Sequence, residues 1–244
     1  MIKRMPKMIL FDVGGTLFKG NNFSLENGFE ALRLSAKNPD ATTTEYLVKR
    51  WNEYVEDVGR PRSKSGLILE ISLSAVLKHV TMAAGLGFDI SIYEQEEIFD
   101  RHNSDRAVID GIPELLKALK TAGIRTAIIS NNMMSGESLA LAVKHWIPES
   151  DFEFCLTSAD ILYCKPSKYI FDVALGYAHL KPEDCWYCGD GFVPDVEGAS
   201  ESEITPIFYN KDAESSCEIK EINGLSYLTI NHWNALTDII KQFN

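Results

Sequence analysis

Several things are missing from this 244-residue sequence, and each absence excludes something. No stretch approaches the roughly 18–20 consecutive apolar residues of a membrane span. The apolar run Met8 to Phe11 follows Lys3, Arg4 and Lys7, but it is too short for the core of a signal peptide. There is no internal repeat and no low-complexity tract, which excludes solenoids and fibrous or disordered chains. Cysteine is sparse and odd in number: Cys155, Cys164, Cys185, Cys188 and Cys217. Four of the five lie among apolar or aromatic neighbours, so reduced thiols and a cytoplasmic location are expected. Cys185 and Cys188 have Cys-x-x-Cys spacing, yet residues three apart on a strand face opposite sides and share neither a disulfide nor a metal. The five histidines are scattered, none at metal-ligand spacing. Positive charge is also scarce. Lys+Arg number 24 against 35 Asp+Glu, a net charge of −11. Such a chain is a poor general binder of nucleic acid or of anionic membranes, but it can hold a local cationic pocket or a divalent metal.

What is present reads as a globular protein. Hydrophobic residues make up 45% and charged residues 24%, and the length suits one large domain or a core with one insertion. Met8-Ile9-Leu10-Phe11 runs into Asp12 and the glycines Gly14 and Gly15, the pattern of a buried strand entering a tight turn. The pattern recurs at Thr126–Ile129 before Ser130-Asn131-Asn132, at Phe154–Leu156 before Thr157-Ser158, and at Trp186–Cys188 before Gly189-Asp190. Ile204 to Tyr209 predicts a fifth strand. Helical spacing separates them: Ile112, Leu115, Leu116 and Leu119, then Ile170, Val173, Ala174 and Tyr177. Strands alternating with helices predict an α/β fold with a Rossmann-like parallel sheet, whose ligands gather at the C-terminal strand ends.

Residues 18–110 break the alternation and predict helices without a good strand. Leu47, Trp51, Tyr54, Val55 and Val58 form one stripe. Leu69, Leu73, Val76, Leu77 and Val80 form another, widened by Leu67, Ile68, Ile71 and Ala75. A polar helix is expected over 93–102. The expected organisation is an α/β core of 1–17 and 111–244 with an inserted all-helical cap domain over 18–110. Asp212 to Gly224 reads as an acidic, exposed loop.

Polar residues follow four of the strands. Asp12 comes with Gly14, Gly15 and Thr16, Ser130 with Asn131, Lys165 before Pro166, and Asp190 with Asp195. Taken singly, each has an ordinary role as a turn former, a helix-terminal group or a solvated side chain. Two carboxylates five apart beside glycines also suit a hard cation such as Mg²⁺, which takes few carboxylates and keeps several waters. Arg60, Arg62 and Lys64 place three cations in one segment of the insertion, where they either sit in solvent or draw an anionic substrate.

The order of these groups carries more than any one of them. Asp-x-x-Gly-Thr-Leu at Asp12, Ser130, Lys165-Pro166 and Gly-Asp-x₄-Asp at Gly189–Asp195 resemble the four motifs of the haloacid dehalogenase-like superfamily. Gly111-Ile-Pro-Glu-Leu-Leu and Asp195-Val-Glu-Gly-Ala extend the likeness over about 1–17 and 111–210. The resemblance implies a Mg²⁺-dependent hydrolase of a small phosphate ester. Asp12 would be the nucleophile that becomes an aspartyl-phosphate. Ser130 and the backbone at Asn131, with Gly15 and Thr16, would hold the phosphoryl group, and Lys165 would neutralise charge. Asp12, the Gly14 carbonyl, Asp190 and Asp195 would bind the metal.

One position departs from the family. Its phosphatases usually carry a second Asp two residues after the nucleophile as general acid, where this chain has Gly14. Slow turnover of alkyl phosphates is expected unless the insertion supplies an acid, for which His102 and Asp105 are candidates. Two alternatives stay open: a metal-independent 2-haloacid dehalogenase, and a non-enzymatic phospholigand-binding regulator. The acidic pair Asp190/Asp195 favours the phosphatase. Substrate and oligomeric state are not legible.

Overall fold

Met8–Phe11 forms β1, with every side chain buried, as expected of a strand covered on both faces. The computed structural model describes residues 4–20, 22–59, 64–222 and 224–242. β1 pairs in parallel with β4 (Arg125–Ser130) on one side and β6 (Cys185–Gly189) on the other. The sheet extends to seven strands through β5 (Cys155–Thr157), β7 (Thr205–Tyr209), β9 (Leu225–Ile230) and β8 (Cys217–Ile222), in the order β5-β4-β1-β6-β7-β9-β8. All pairs are parallel except β8 with β9.

The period-2 alternation of a strand divides the core in two. Ile9, Phe11, Ile128, Trp186 and Cys188 point to one face, where α5 (Ile112–Thr121) and α10 (Trp233–Gln242) pack. Met8, Leu10, Ala127, Ile129, Cys185 and Tyr187 point to the other, under α8 (Lys168–Ala178). Cys185 and Cys188 therefore lie on opposite faces, and all five cysteines are unbridged thiols. Each fully buried large side chain contributes about 1.5–3 kcal/mol of transfer free energy. Helix α6 (Gly136–Trp146) and the short helices α7 (Ser158–Ile161) and α9 (Gly198–Glu201) complete this part. Among the described residues, no helix is long and apolar enough to cross a membrane.

Between β1 and β4 the chain leaves the sheet and builds α1 (Leu25–Leu34), α2 (Thr44–Val58), α3 (Leu73–Ala83) and α4 (Ile92–Asn103). Ser24, Thr43 and Ser91 cap three of them, Ser91 in a reciprocal capping box with Glu94. Their apolar faces meet around Phe29, Leu32, Leu47, Val76, Leu77 and Phe99, and Trp51 stacks on Phe99 with ring centroids 5.4 Å apart.

The structure corrects four expectations. Residues 18–110 do include strand: β2 (Phe18–Lys19) and β3 (Ala107–Val108) form an antiparallel ribbon at the base of the insertion. Two-residue strands are too short to display a period. The second apolar stripe becomes helical only from Leu73. Residues 68–71 lie extended against 162–164, with Glu70 N donating to Leu162 O at 2.7 Å and Cys164 N to Ile68 O at 3.1 Å. A short apolar run does not by itself tell helix from strand. The acidic segment after Asp212 is not all loop, because β8 forms an exposed edge strand held by its ladder to β9 rather than by burial. In α8 the buried face is Ile170, Phe171, Ala174, Leu175 and Ala178, and Tyr177 is 63% exposed.

Insertion and core meet through buried carboxylates. Glu96 of α4, with no exposed surface, accepts hydrogen bonds from Ser74 Oγ (2.5 Å), Ser135 N (3.1 Å), Ser135 Oγ (2.7 Å) and Ser138 Oγ (2.5 Å). Glu70 accepts from Ser158 Oγ at 3.0 Å. Leu73 N donates to Met133 O at 2.7 Å. Apart from the Ser74 bond, which lies within the insertion, these bonds fasten the insertion to the loop that follows Ser130 and to the starts of α6 and α7.

Candidate active site

Asp12 leaves the end of β1 with its backbone N–H donating to Cys188 O at 2.9 Å, so the sheet ladder sets its position. Lys165 enters from the segment before α8. Its ammonium is buried against Asp12 Oδ1 (2.7 Å), Asp195 Oδ1 (2.6 Å) and Tyr187 Oη (2.6 Å). Three acceptors use all three ammonium protons. Asp195 sits on a π-helical turn over Phe192–Glu197, and its Oδ2 accepts from Gly191 N at 2.8 Å. The approach is close enough that a Cβ at Gly189 would fall 2.3 Å from Asp195 Cγ. Asp190 completes the group. One carboxylate oxygen from each of Asp12, Asp190 and Asp195 lies within 4.8 Å of the others.

Three carboxylates against one ammonium make an unbalanced site. Burial raises the Asp12 carboxyl to about 6; Lys165 opposes the rise and Asp195 adds to it. Burial and then Asp195 push Asp190 upward. Burial tends to lower Lys165, but Asp12 and Asp195 outweigh it and the net direction is up. The cluster therefore holds an ammonium firmly and still carries excess negative charge. Oxygen donors at this spacing fit a small hard cation such as Mg²⁺.

A sequence model of the haloacid dehalogenase-like hydrolases matches residues 6–202, which includes every member of this cluster. The chain belongs to that family. It is 24% identical, over 97% of its own length and all of the other, to glyceraldehyde 3-phosphate phosphatase of Methanothermobacter thermautotrophicus. Over 37% of the chain and 35% of the relative it is 33% identical to human haloacid dehalogenase-like hydrolase domain-containing protein 3. Its fold is similar to that of a 2-haloacid dehalogenase from Pseudomonas syringae pv. tomato, with a TM-score of 0.60 and 20% identity over 98% of this chain and all of that one. It is also similar to a phosphatase of the family from Thermococcus onnurineus, with a TM-score of 0.55 and 17% identity over 96% and 97% of the two chains. The protein is thus an enzyme of the hydrolase class, and its named full-length relatives favour a phosphatase.

In this haloacid dehalogenase-like hydrolase, Gly14, Gly15, Ser130, Asn131 and Asp190 line one cleft of about 1260 Å³. Gly15 has φ +74°, and a Cβ there would stand 2.0 Å from Asp190 Oδ2, so only glycine fits. Thr16 Oγ1 donates to Asp190 Oδ1 at 3.4 Å. The side chain of Asn131 is pinned to the Lys165 backbone, donating to Lys165 O (3.0 Å) and accepting from Lys165 N (2.7 Å), which leaves one Nδ2 proton and the main chain for a ligand. Arg60 and Arg62 lie outside the described residues. Neither expected substitute acid lines the cleft. His102 Nδ1 donates to Ile98 O at 2.8 Å. Asp105 takes two hydrogen bonds from Asn22, which hold its carboxyl below the usual range.

Sequence reasoning passed over Tyr187. The phenol is fully buried, accepts from Lys165 and lies 3.0 Å from Ile129 O and 3.1 Å from Asp195 Oδ1. In sequence it is one more aromatic in a buried strand, and only the neighbouring strands show what its hydroxyl meets.

Proposed function

We propose that the enzyme is a Mg²⁺-dependent hydrolase of a small phosphorylated metabolite that works through an aspartyl-phosphate intermediate. The observation that carries this reading is the trio Asp12, Asp190 and Asp195 sharing one strand-end crevice with a single ammonium. In this reading Asp12 attacks the phosphorus and the ester oxygen leaves. Water then attacks the acyl-phosphate and Asp12 is restored. Ser130 and the Asn131 main chain orient the phosphoryl oxygens, and Lys165 offsets the charge that gathers between nucleophile and phosphoryl group. Asp12, the Gly14 carbonyl, Asp190 and Asp195 would hold Mg²⁺, which would supply charge neutralisation for a dianion approaching a carboxylate. Residues 1–17 and 111–244 form the catalytic core in this account, and 18–110 a cap that excludes water from the cleft.

Lacking an acid at Gly14, the site favours esters with good leaving groups over alkyl phosphates. The competing dehalogenase reading is opposed by the acidic trio, which metal-free attack on carbon does not need. The test is phosphate release from a panel of phosphate esters with and without Mg²⁺, alongside chloride release from 2-chloropropionate. Release that stops in chelator and falls at least about 10³-fold in Asp12→Asn is expected. Chloride release that survives chelator would replace this proposal with the dehalogenase.

A further inference from the structure

One wall of the cleft comes from the end of α4 and the residues just after it, and nothing in the proposed chemistry uses them. Asp100, Asn103 and Arg106 all line the cleft. Asp100 is 7% exposed. Its Oδ1 receives Arg106 Nη2 at 2.6 Å, while its Oδ2 is buried and accepts no hydrogen bond from the described residues. Asn103 stands three residues further along the same helix face, and its Oδ1 is likewise buried without a partner among them. A buried acceptor left unmade costs about 1–3 kcal/mol, and these two belong to residues one helical turn apart that line the same cleft. Glu96, one turn earlier on α4, receives four donors. The helix therefore satisfies its carboxylate against the core and leaves its acceptors at the cleft unmet.

The charge at this wall cancels, because Arg106 is neutralised by Asp100. Among the described residues, the end of α4 offers a second anionic group on the substrate no unpaired cation; the other cations of the cleft lining, Lys19 of β2, 3.9 Å from Asp110, and Lys211 after β7, belong to other elements. What the wall lacks is hydrogen-bond donors. Trp51 and Phe99, also in the cleft lining, give it an apolar surface beside the acceptors. We propose that Asp100 and Asn103 form a subsite for the hydroxyl groups of the leaving alcohol, so that the preferred esters carry a neutral, hydroxylated carbon skeleton rather than a bare alkyl chain or a carboxylate. This rests on the phosphatase reading and specifies its substrate class. Arg106 is a positioning residue that holds Asp100 in place.

The test compares kcat/KM for glycerol 3-phosphate, n-propyl phosphate and 3-phosphoglycerate, all with Mg²⁺. The expected result is a preference of about tenfold or more for glycerol 3-phosphate over n-propyl phosphate, with 3-phosphoglycerate no better than glycerol 3-phosphate. Asp100→Asn turns the unmet acceptor into a donor, and Asn103→Leu removes one. Each should abolish most of that ratio, a readout that cancels any general loss of activity. Should Asp100→Asn fail to fold, Asn103→Leu carries the test. Equal rates for the two neutral esters, a preference for the carboxylate, or a ratio unchanged in the folded variants would overturn the subsite and leave the phosphatase standing. No release from any ester, here or across the wider panel, would remove both.

Discussion

Two regions of this enzyme bury carboxylates, and they do so in opposite ways. At the strand ends, Asp12, Asp190 and Asp195 crowd within 4.8 Å around Lys165, and burial and like charge raise Asp12 and Asp190. Where the insertion meets the core, Glu96 is at least as buried as Asp12 and Asp195, Asp190 being the open member of the trio, but it receives four donors, three serine hydroxyls and a backbone N–H. Neutral donors make a buried carboxylate a fastening. Crowded carboxylates short of positive charge make a site that stores unfavourable electrostatics until a cation and a substrate arrive. Under the proposed function, the difference separates a structural acid from a functional one without reference to any motif.

The comparison can be sharpened, most strongly at Gly14. A Cβ there meets nothing within 4 Å, and the residue is not among those with positive φ, so the fold accepts an aspartate. Gly14→Asp should raise kcat on alkyl phosphates by about 10²–10⁴-fold and should flatten the dependence of rate on leaving-group pKa. A dependence already flat in the wild type would show that an acid already acts, and one that stays steep in Gly14→Asp would show that the new carboxyl does not reach the leaving group. The fastening should respond in stability instead. Glu96→Ala leaves Ser74 Oγ and the Ser135 N–H without their acceptor, while Ser135 and Ser138 can still bond each other and Tyr93 O, and should cost about 3 kcal/mol, or about 6–12 °C in melting temperature.

Proton linkage gives the next largest effect. In chelator, the native state holds a proton on Asp12 up to about pH 6, whereas the unfolded chain releases it near pH 4. The folded state then binds more protons, so metal-free stability should fall as pH rises through that window, by on the order of 2 kcal/mol. Asp12→Asn should remove this slope in urea titrations at pH 4 and pH 7. The smallest change is expected at Asp190, which is partly open to water. Asp190→Asn relieves repulsion and should raise the metal-free melting temperature by about 2 °C. If Mg²⁺ binds as proposed, it should stabilise the wild type by about 2.7 kcal/mol at a hundredfold excess over Kd, and Asp190→Asn should reduce that gain. A destabilised Asp190→Asn would erase the distinction between the two regions.

Much of this architecture was legible in the chain. Runs such as Met8–Phe11 and Trp186–Cys188 are apolar enough to be buried, and the small or polar residues that stop each run after a few positions mark strand ends where ligands gather. The order of Asp12, Ser130, Lys165, Asp190 and Asp195 pointed to a single crevice because parallel strands all end on one side. Other features depended on partners that local pattern does not contain. The ribbon of β2 and β3 joins residues some ninety positions apart, and β8 is a strand only because β9 lies beside it. Tyr187 became part of the site, and the Asn131 side chain was pinned, through bonds to Lys165 that span 22 and 34 positions. Composition and periodicity report what each residue would bury. Which donor meets which acceptor across the sheet, and which acceptors at the end of α4 meet none, is decided when distant segments pack together. That is where the chemistry beyond the motifs resides.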